Sequence, residues 1–180
     1  MSTRSNVIIK VKSEDIGKTI KFNAKKLPVK LESWGDEKVR TKCKPVIIEK
    51  QYIGIYCHWD GYPSGVGKAL VENFTDYDSV LNLVAGGDCS SINQDSVIHY
   101  ANRDGEDWDF IKPVQSDEIK VCGGLTEYAY IFDEDGLWKI GIIKYGKDDE
   151  GKTNYDDEYI DDIVDLDEDV ITNGHPSERE

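Results

Sequence analysis

No run in this chain approaches 18 apolar residues, so it offers no candidate transmembrane helix. It holds no CxxC pair. Cys43, Cys57, Cys89 and Cys122 stand far apart, which argues against a disulfide framework and fits reduced thiols. Histidine is scarce, at three, and Cys57, His58, Cys89, His99 and Cys122 lack the close spacing of zinc-ligand pairs. No metal and no cofactor is therefore expected. Gly65-Val66-Gly67-Lys68 has neither the dinucleotide-binding nor the P-loop spacing. The acidic runs Asp133–Gly136 and Asp165–Asp169 lack the twelve-residue calcium-loop pattern. The opening, MSTRSNVIIK, has no apolar stretch of signal-peptide length, so a cytoplasmic protein without membrane association is expected. There is no internal repeat.

What remains is an acidic chain of 180 residues, 38% apolar and 32% charged. That length suits one domain and can bury roughly 70% of the unfolded surface without a staple. Residues 1–50 carry 13 Lys and Arg against 6 Asp and Glu, a net of +7. Residues 51–180 carry 9 against 30, a net of −21, and residues 146–180 alone carry −11. An acidic surface repels phosphate backbones, so direct nucleic-acid binding is disfavoured. Such a surface either solvates the protein or competes for a basic groove on a partner protein as a nucleic-acid mimic. Asp157, Glu158, Asp161, Asp162, Asp165, Asp167, Glu168 and Asp169 are the candidate contact residues.

Along the chain, β-branched Asn6–Val11 reads as a strand, and Val46–Ile48 with Tyr52–Tyr56 as a second strand region. The Lys-rich stretch of about 13–50 reads as a long insertion, with short strands at Thr19–Phe22 and Pro28–Leu31. Helices are expected over Val66–Phe74 and Ser79–Ala85, the second capped by Asp76 or Asp78 and ended by Gly86-Gly87. Asp88–Gln94 reads as a polar connection and Ser96–Tyr100 as a short strand. Tyr128–Phe132 and Leu137–Ile143 form a hairpin turned at Asp135-Gly136. Tyr159, Ile163, Leu166 and Val170 recur at helical spacing, which predicts an acidic C-terminal helix within 155–171, followed by a loose 172–180. The order argues an α+β fold: an antiparallel sheet packed against two or three helices. The domain would span 1–145, with 146–180 as an acidic C-terminal segment.

Tyr56–Gly67 reads YCHWDGYPSGVG, placing a thiol, an imidazole, an indole, a carboxylate and a phenol at the end of a strand. Strand alternation puts Cys57 and Trp59 on one side and His58 and Asp60 on the other, where the carboxylate would fix the imidazole tautomer. The helix start at Gly65–Gly67, with Lys68 beside it, offers an anion site. Four readings stand open: a structural turn, a small-ligand site, a protein-contact surface, and a Cys/His-dependent hydrolase using Cys57, His58 and Asp60.

Thr3-Arg4-Ser5-Asn6 leading into a strand, then IYCHWDGYPSGVGKAL, VLNLVAGGDCSSI and HYANRDGEDW, resemble a largely uncharacterised family of small proteins from phages and bacterial mobile elements. The resemblance covers roughly residues 2–12 and 51–145. The Lys-rich segment and the acidic tail depart from it. It implies no established activity, but it groups Arg4, Ser5, His58, Asp60, Tyr62, Arg103 and Asp104 as polar residues of shared motifs. If the first two strands pair antiparallel, Arg4 lies near His58–Asp60. The expected ligand-binding set is therefore Arg4, Ser5, His58, Trp59, Asp60, Tyr62, Lys68, Arg103 and Asp104. The expected function is that of an accessory protein acting by binding against a host defence component. It would do so through its acidic face or by sequestering a nucleotide-like ligand over Trp59 and Tyr62, with Arg4 and Lys68 facing phosphate. A structural or virion-associated protein would need no pocket and would bury Trp59 and His58.

Overall fold

The computed structural model describes residues 3–31, 42–102 and 109–179. In chain order the strands are β1 (Ser5–Lys10), β2 (Thr19–Ile20), β3 (Lys30–Leu31), β4 (Val46–Ile47), β5 (Tyr52–Cys57), β6 (Cys89–Ile92), β7 (Ser96–His99), β8 (Val114–Ser116), β9 (Tyr128–Phe132), β10 (Trp138–Lys147) and β11 (Thr153–Asp165). The α-helices are α1 (Lys68–Asn73), α2 (Tyr77–Ala85) and α3 (Glu168–Asn173), and a π-helical turn at Pro63–Gly67 leads straight into α1. Among these residues no helix is long and apolar enough to cross a membrane.

Nine strands form one sheet in the order β11-β10-β9-β1-β5-β6-β7-β3, with β8 paired to β5. The class is α+β. The sheet is mixed rather than wholly antiparallel: β1 pairs antiparallel with β5, but β1–β9, β5–β6 and β3–β7 are parallel. β1 sits centrally because Val7, Ile8 and Ile9 are apolar on both faces, and such a run is stable only when both faces are covered. Val7 and Ile9 join Ile53, Ile55, Leu70, Phe74, Leu83, Tyr130, Phe132 and Trp138 in the main core under the helices. Ile8 packs on the other face with Cys122, Ala129, Ile131 and Ile143. Each such aliphatic side chain stabilises the fold by roughly 1.5–3 kcal/mol.

Asp76 caps α2 as its sequence position predicts, its carboxylate accepting from the Ser79 N–H at 2.7 Å. The stretch read as a polar connection is a strand instead. Cys89–Ile92 is buried throughout, with Ser90 and Ser91 inside the fold, because β6 is flanked by β5 and β7. The acidic C-terminal helix is present but short, with Asp167 accepting from the Val170 N–H. Residues before it form the edge strand β11, which leaves Tyr159 and Ile163 exposed and packs Ile160 and Val164 inward. The open edge of β10 captures this segment by backbone pairing, which outweighs its helical spacing. The end of the chain is tied down rather than loose. His175 is fully buried and bonds the Asp162 carbonyl at 2.7 Å, and the Tyr128 hydroxyl donates to Glu178 at 2.5 Å.

Candidate functional site

The ladder between β5 and β6 continues past the strand end. The His58 N–H donates to the Cys89 carbonyl and the Trp59 N–H to the Ser90 carbonyl, each at 3.1 Å. The chain then bends at Asp60, whose φ of +53° lies in the left-handed region that Asp tolerates better than most residues. The bend is held by backbone bonds from Gly61 to the Thr3 carbonyl (2.8 Å) and from Val66 to the Asp60 carbonyl (2.8 Å). The buried Tyr130 hydroxyl donates to the Gly61 carbonyl at 2.6 Å. A Cβ on Gly61 would stand 2.8 Å from Ser5 Cβ and 2.9 Å from the Thr3 carbonyl. Glycine is therefore required where the bend meets the N-terminal strand.

That contact brings the opening of the chain to the bend. Ser5 is opposite Cys57 in the β1–β5 register, which puts Arg4 across from His58. Ser5 and Cys57 face the helices. Asn6 and Tyr56 face the other side, where the Asn6 amide bonds Cys122. Burial pushes the Tyr56 hydroxyl pKa up, and the nearby Arg4 guanidinium partly offsets this. Arg4 itself is half-buried, with its Nε shut off from solvent and without a hydrogen-bond partner.

Several sequence expectations change here. His58 and Asp60 diverge: His58 Nδ1 lies 2.7 Å from the Tyr56 hydroxyl, while Asp60 accepts from the Tyr62 hydroxyl at 3.3 Å. The left-handed turn between them redirects the carboxylate, so a tyrosine rather than an aspartate contacts Nδ1. Trp59 and Tyr62 are exposed, at 47% and 42%, and the Trp59 ring stands edge-on to His58 at 4.7 Å. Cys57 is sealed, and burial pushes its thiol pKa up to about 12. A thiol so placed is not a nucleophile at neutral pH, so the hydrolase alternative loses its reactive atom. The helix start is not an open anion site either. The Gly65 and Val66 N–H groups are taken by the Tyr62 and Asp60 carbonyls, and the Lys68 ammonium lies 4.0 Å from Glu72. Ser5 is buried with its hydroxyl unpartnered, facing the core rather than solvent. Arg103 and Asp104 lie outside the described residues.

Next to the bend is a depression of about 410 Å³, walled by Tyr56, Asp88, Tyr100, Ile111, Gly123 and Gly124. Sequence reading missed its central group, Asp88. The signal was the Gly86-Gly87 helix stop directly before it, since a positive φ at Gly87 turns the chain back towards β5. One Asp88 oxygen accepts from the Tyr56 N–H at 3.0 Å. Burial pushes the Asp88 carboxyl up to about 6, with the Tyr56 N–H pulling the other way. No lysine or arginine pairs with it among the described residues. The bend and the depression adjoin through the Tyr56–His58 contact.

The acidic contact candidates divide into engaged and open groups. Asp161 pairs with Lys144 and Asp169 with Arg179, each at 2.8 Å. Asp167 caps α3, and Asp162 is bonded to Ser177. Glu158 is half-buried and its carboxyl is pushed up by burial. Asp157, Asp165 and Glu168 remain exposed. Carboxylates along an edge strand also discourage strand addition by another chain, which accounts for part of this charge without a partner.

Among the described residues no group of three or more His, Cys, Asp or Glu is arranged to hold a metal ion. Neither the family models, nor the curated proteins, nor the solved structures give a match to this chain. The reading of function therefore rests on the site itself.

Proposed function

We propose that this chain is a binding protein that sequesters a small nucleotide-like ligand, serving a phage or mobile element against a host defence component. The anionic part of the ligand sits on Arg4, and its planar ring lies on one of the two aromatic patches beside it. The observation that carries this reading is Arg4. A half-buried guanidinium without a partner is costly, and a carboxylate or phosphate that meets its outer N–H groups satisfies the charge with charge-assisted bonds. Among the described residues no carboxylate forms an ion pair with it, which favours an external anion. The exposed indole of Trp59 is the opposite of what a purely structural turn would need.

The test is thermal stabilisation by a panel of nucleoside monophosphates at low and high salt. Salt-tolerant stabilisation is expected, with Arg4→Ala weakening the response at least 10-fold, since charged hydrogen bonds contribute about 1.5–3 kcal/mol. A panel in which no nucleotide raises the melting temperature, or in which Arg4→Ala binds as well as wild type, would refute the proposal. The second reading, an acidic mimic presented by Asp157, Asp165 and Glu168, is favoured by their exposure on and after the edge strand. It predicts instead a protein partner whose binding falls steeply with salt.

A further inference from the structure

Resting on the nucleotide reading, we infer that Asp88 selects the base: the depression it lines takes a guanine-like ring whose two adjacent N–H donors meet the carboxylate. Three features converge on this. The walls are apolar and aromatic, with Tyr56, Tyr100 and Ile111 as flat or apolar surfaces, and Gly123 and Gly124 present no side chain. Such a slot suits a planar ring rather than a flexible chain. One charged group stands among its described residues, a carboxylate that accepts hydrogen bonds and, when ionised, donates none. With one oxygen fixed to the Tyr56 N–H, its orientation is set before any ligand arrives, so two parallel N–H donors are recognised at low ordering cost.

The spacing supports a single ligand reaching both groups. Arg4 on the β1 side and Asp88 on the β6 side flank β5, two strand spacings (about 10 Å) apart across the sheet and two residues (about 7 Å) apart along it, so their backbones stand about 12 Å apart. A purine nucleotide held at its pairing edge by Asp88, with the Arg4 side chain reaching towards its 5′-phosphate, spans that gap. Adenine offers one donor beside a ring acceptor, and that acceptor would face the carboxylate with a lone pair. Guanine offers its ring N–H and its exocyclic amine side by side. The exposed Trp59 lies on the far side of His58 and in this arrangement does not carry the base.

The experiment compares GMP, AMP and XMP by calorimetric titration against wild type, Asp88→Asn and Trp59→Ala. Wild type should bind GMP roughly 10–100-fold more tightly than AMP, the discrimination given by a good bidentate pair. Asn at position 88 keeps the oxygen that accepts from Tyr56 but turns a donor into the slot. GMP binding should then fall by a similar factor and XMP, with a carbonyl in place of the amine, should become the preferred ligand. Trp59→Ala should leave the GMP-to-AMP ratio unchanged. Equal binding of GMP and AMP by wild type overturns the inference without any substitution and leaves the nucleotide reading standing. So does an Asp88→Asn protein with an unaltered order, or loss of base preference in Trp59→Ala alone. Failure of all three nucleotides to bind removes the nucleotide reading and this inference with it.

Discussion

Once Asp88 is neutralised by Asp88→Asn, unfolding free energy should fall by about 3 kcal/mol between pH 7 and pH 4, because of His99. His99 lies on β7, fully buried, with Nε2 bonded to the Leu83 carbonyl at 2.9 Å and Nδ1 without a partner. Burial pushes its pKa down from 6.5 to about 4. The unfolded chain takes up a proton below about pH 6.5, while the native chain refuses it until about 4. Stability is therefore complete above 6.5 and lost as pH falls towards 4. Asp88 works in the opposite sense. Its native carboxyl titrates near 6 against 3.8 unfolded, so its contribution is complete below 3.8 and lost as pH rises through 6. Being partly open to solvent, it offsets less, about 1–2 kcal/mol. In wild type the two slopes oppose each other and the profile between pH 4 and 6.5 is shallow. Denaturant titrations at pH 7, 5.5 and 4 on Asp88→Asn, with and without His99→Gln, isolate the histidine. The acid loss should be confined to the protein that retains His99. Equal losses in both backgrounds would assign the acid sensitivity elsewhere.

Gly86→Ala should destabilise the protein by about 2–4 kcal/mol, a large effect for one methyl group. Gly86 follows α2 with ordinary backbone angles, so strain is not the reason. A Cβ there would stand 2.3–2.6 Å from three atoms of the His99 imidazole. The ring cannot retreat, because Phe22 packs edge-on against it at 4.7 Å. Something must give, and the bond to the Leu83 carbonyl is the first candidate. The second substitution His99→Ala removes the obstacle, so the two changes should be strongly non-additive, with a coupling energy of at least 1 kcal/mol. Denaturation midpoints of the two single variants and the double variant measure it. Simple additivity would mean that the methyl group is absorbed some other way.

The secondary-structure pattern was legible wherever a segment's own chemistry decided its shape. β1, β5 and the β9–β10 hairpin follow from β-branched and aromatic runs and an Asp-Gly turn, and α2 from a cap and an apolar stripe. The register of β1 on β5, and with it Arg4 opposite His58, followed from assuming that these two strands pair antiparallel. What stayed hidden was set by distant partners. Cys89–Ile92 carries two serines and looks like a loop, and it becomes a strand because two neighbours enclose it. The 153–165 segment has helical spacing, yet an open sheet edge recruits it. The site was half readable for the same reason. Arg4, His58 and Trp59 stand in conspicuous motifs, whereas Asp88 acquires its meaning from an N–H on another strand and a wall of tyrosine.

The placement of β1 has a consequence for how the protein is made. Its antiparallel neighbour is complete by Cys57, but its parallel neighbour begins at Tyr128, and the Asn6 side chain bonds the backbone 116 positions later. During synthesis β1 emerges before both of its neighbours and completes its pairing only when β9 follows, so one apolar edge stays uncovered while the intervening residues are made. A nascent fragment stopped before Tyr128 should therefore need chaperone protection.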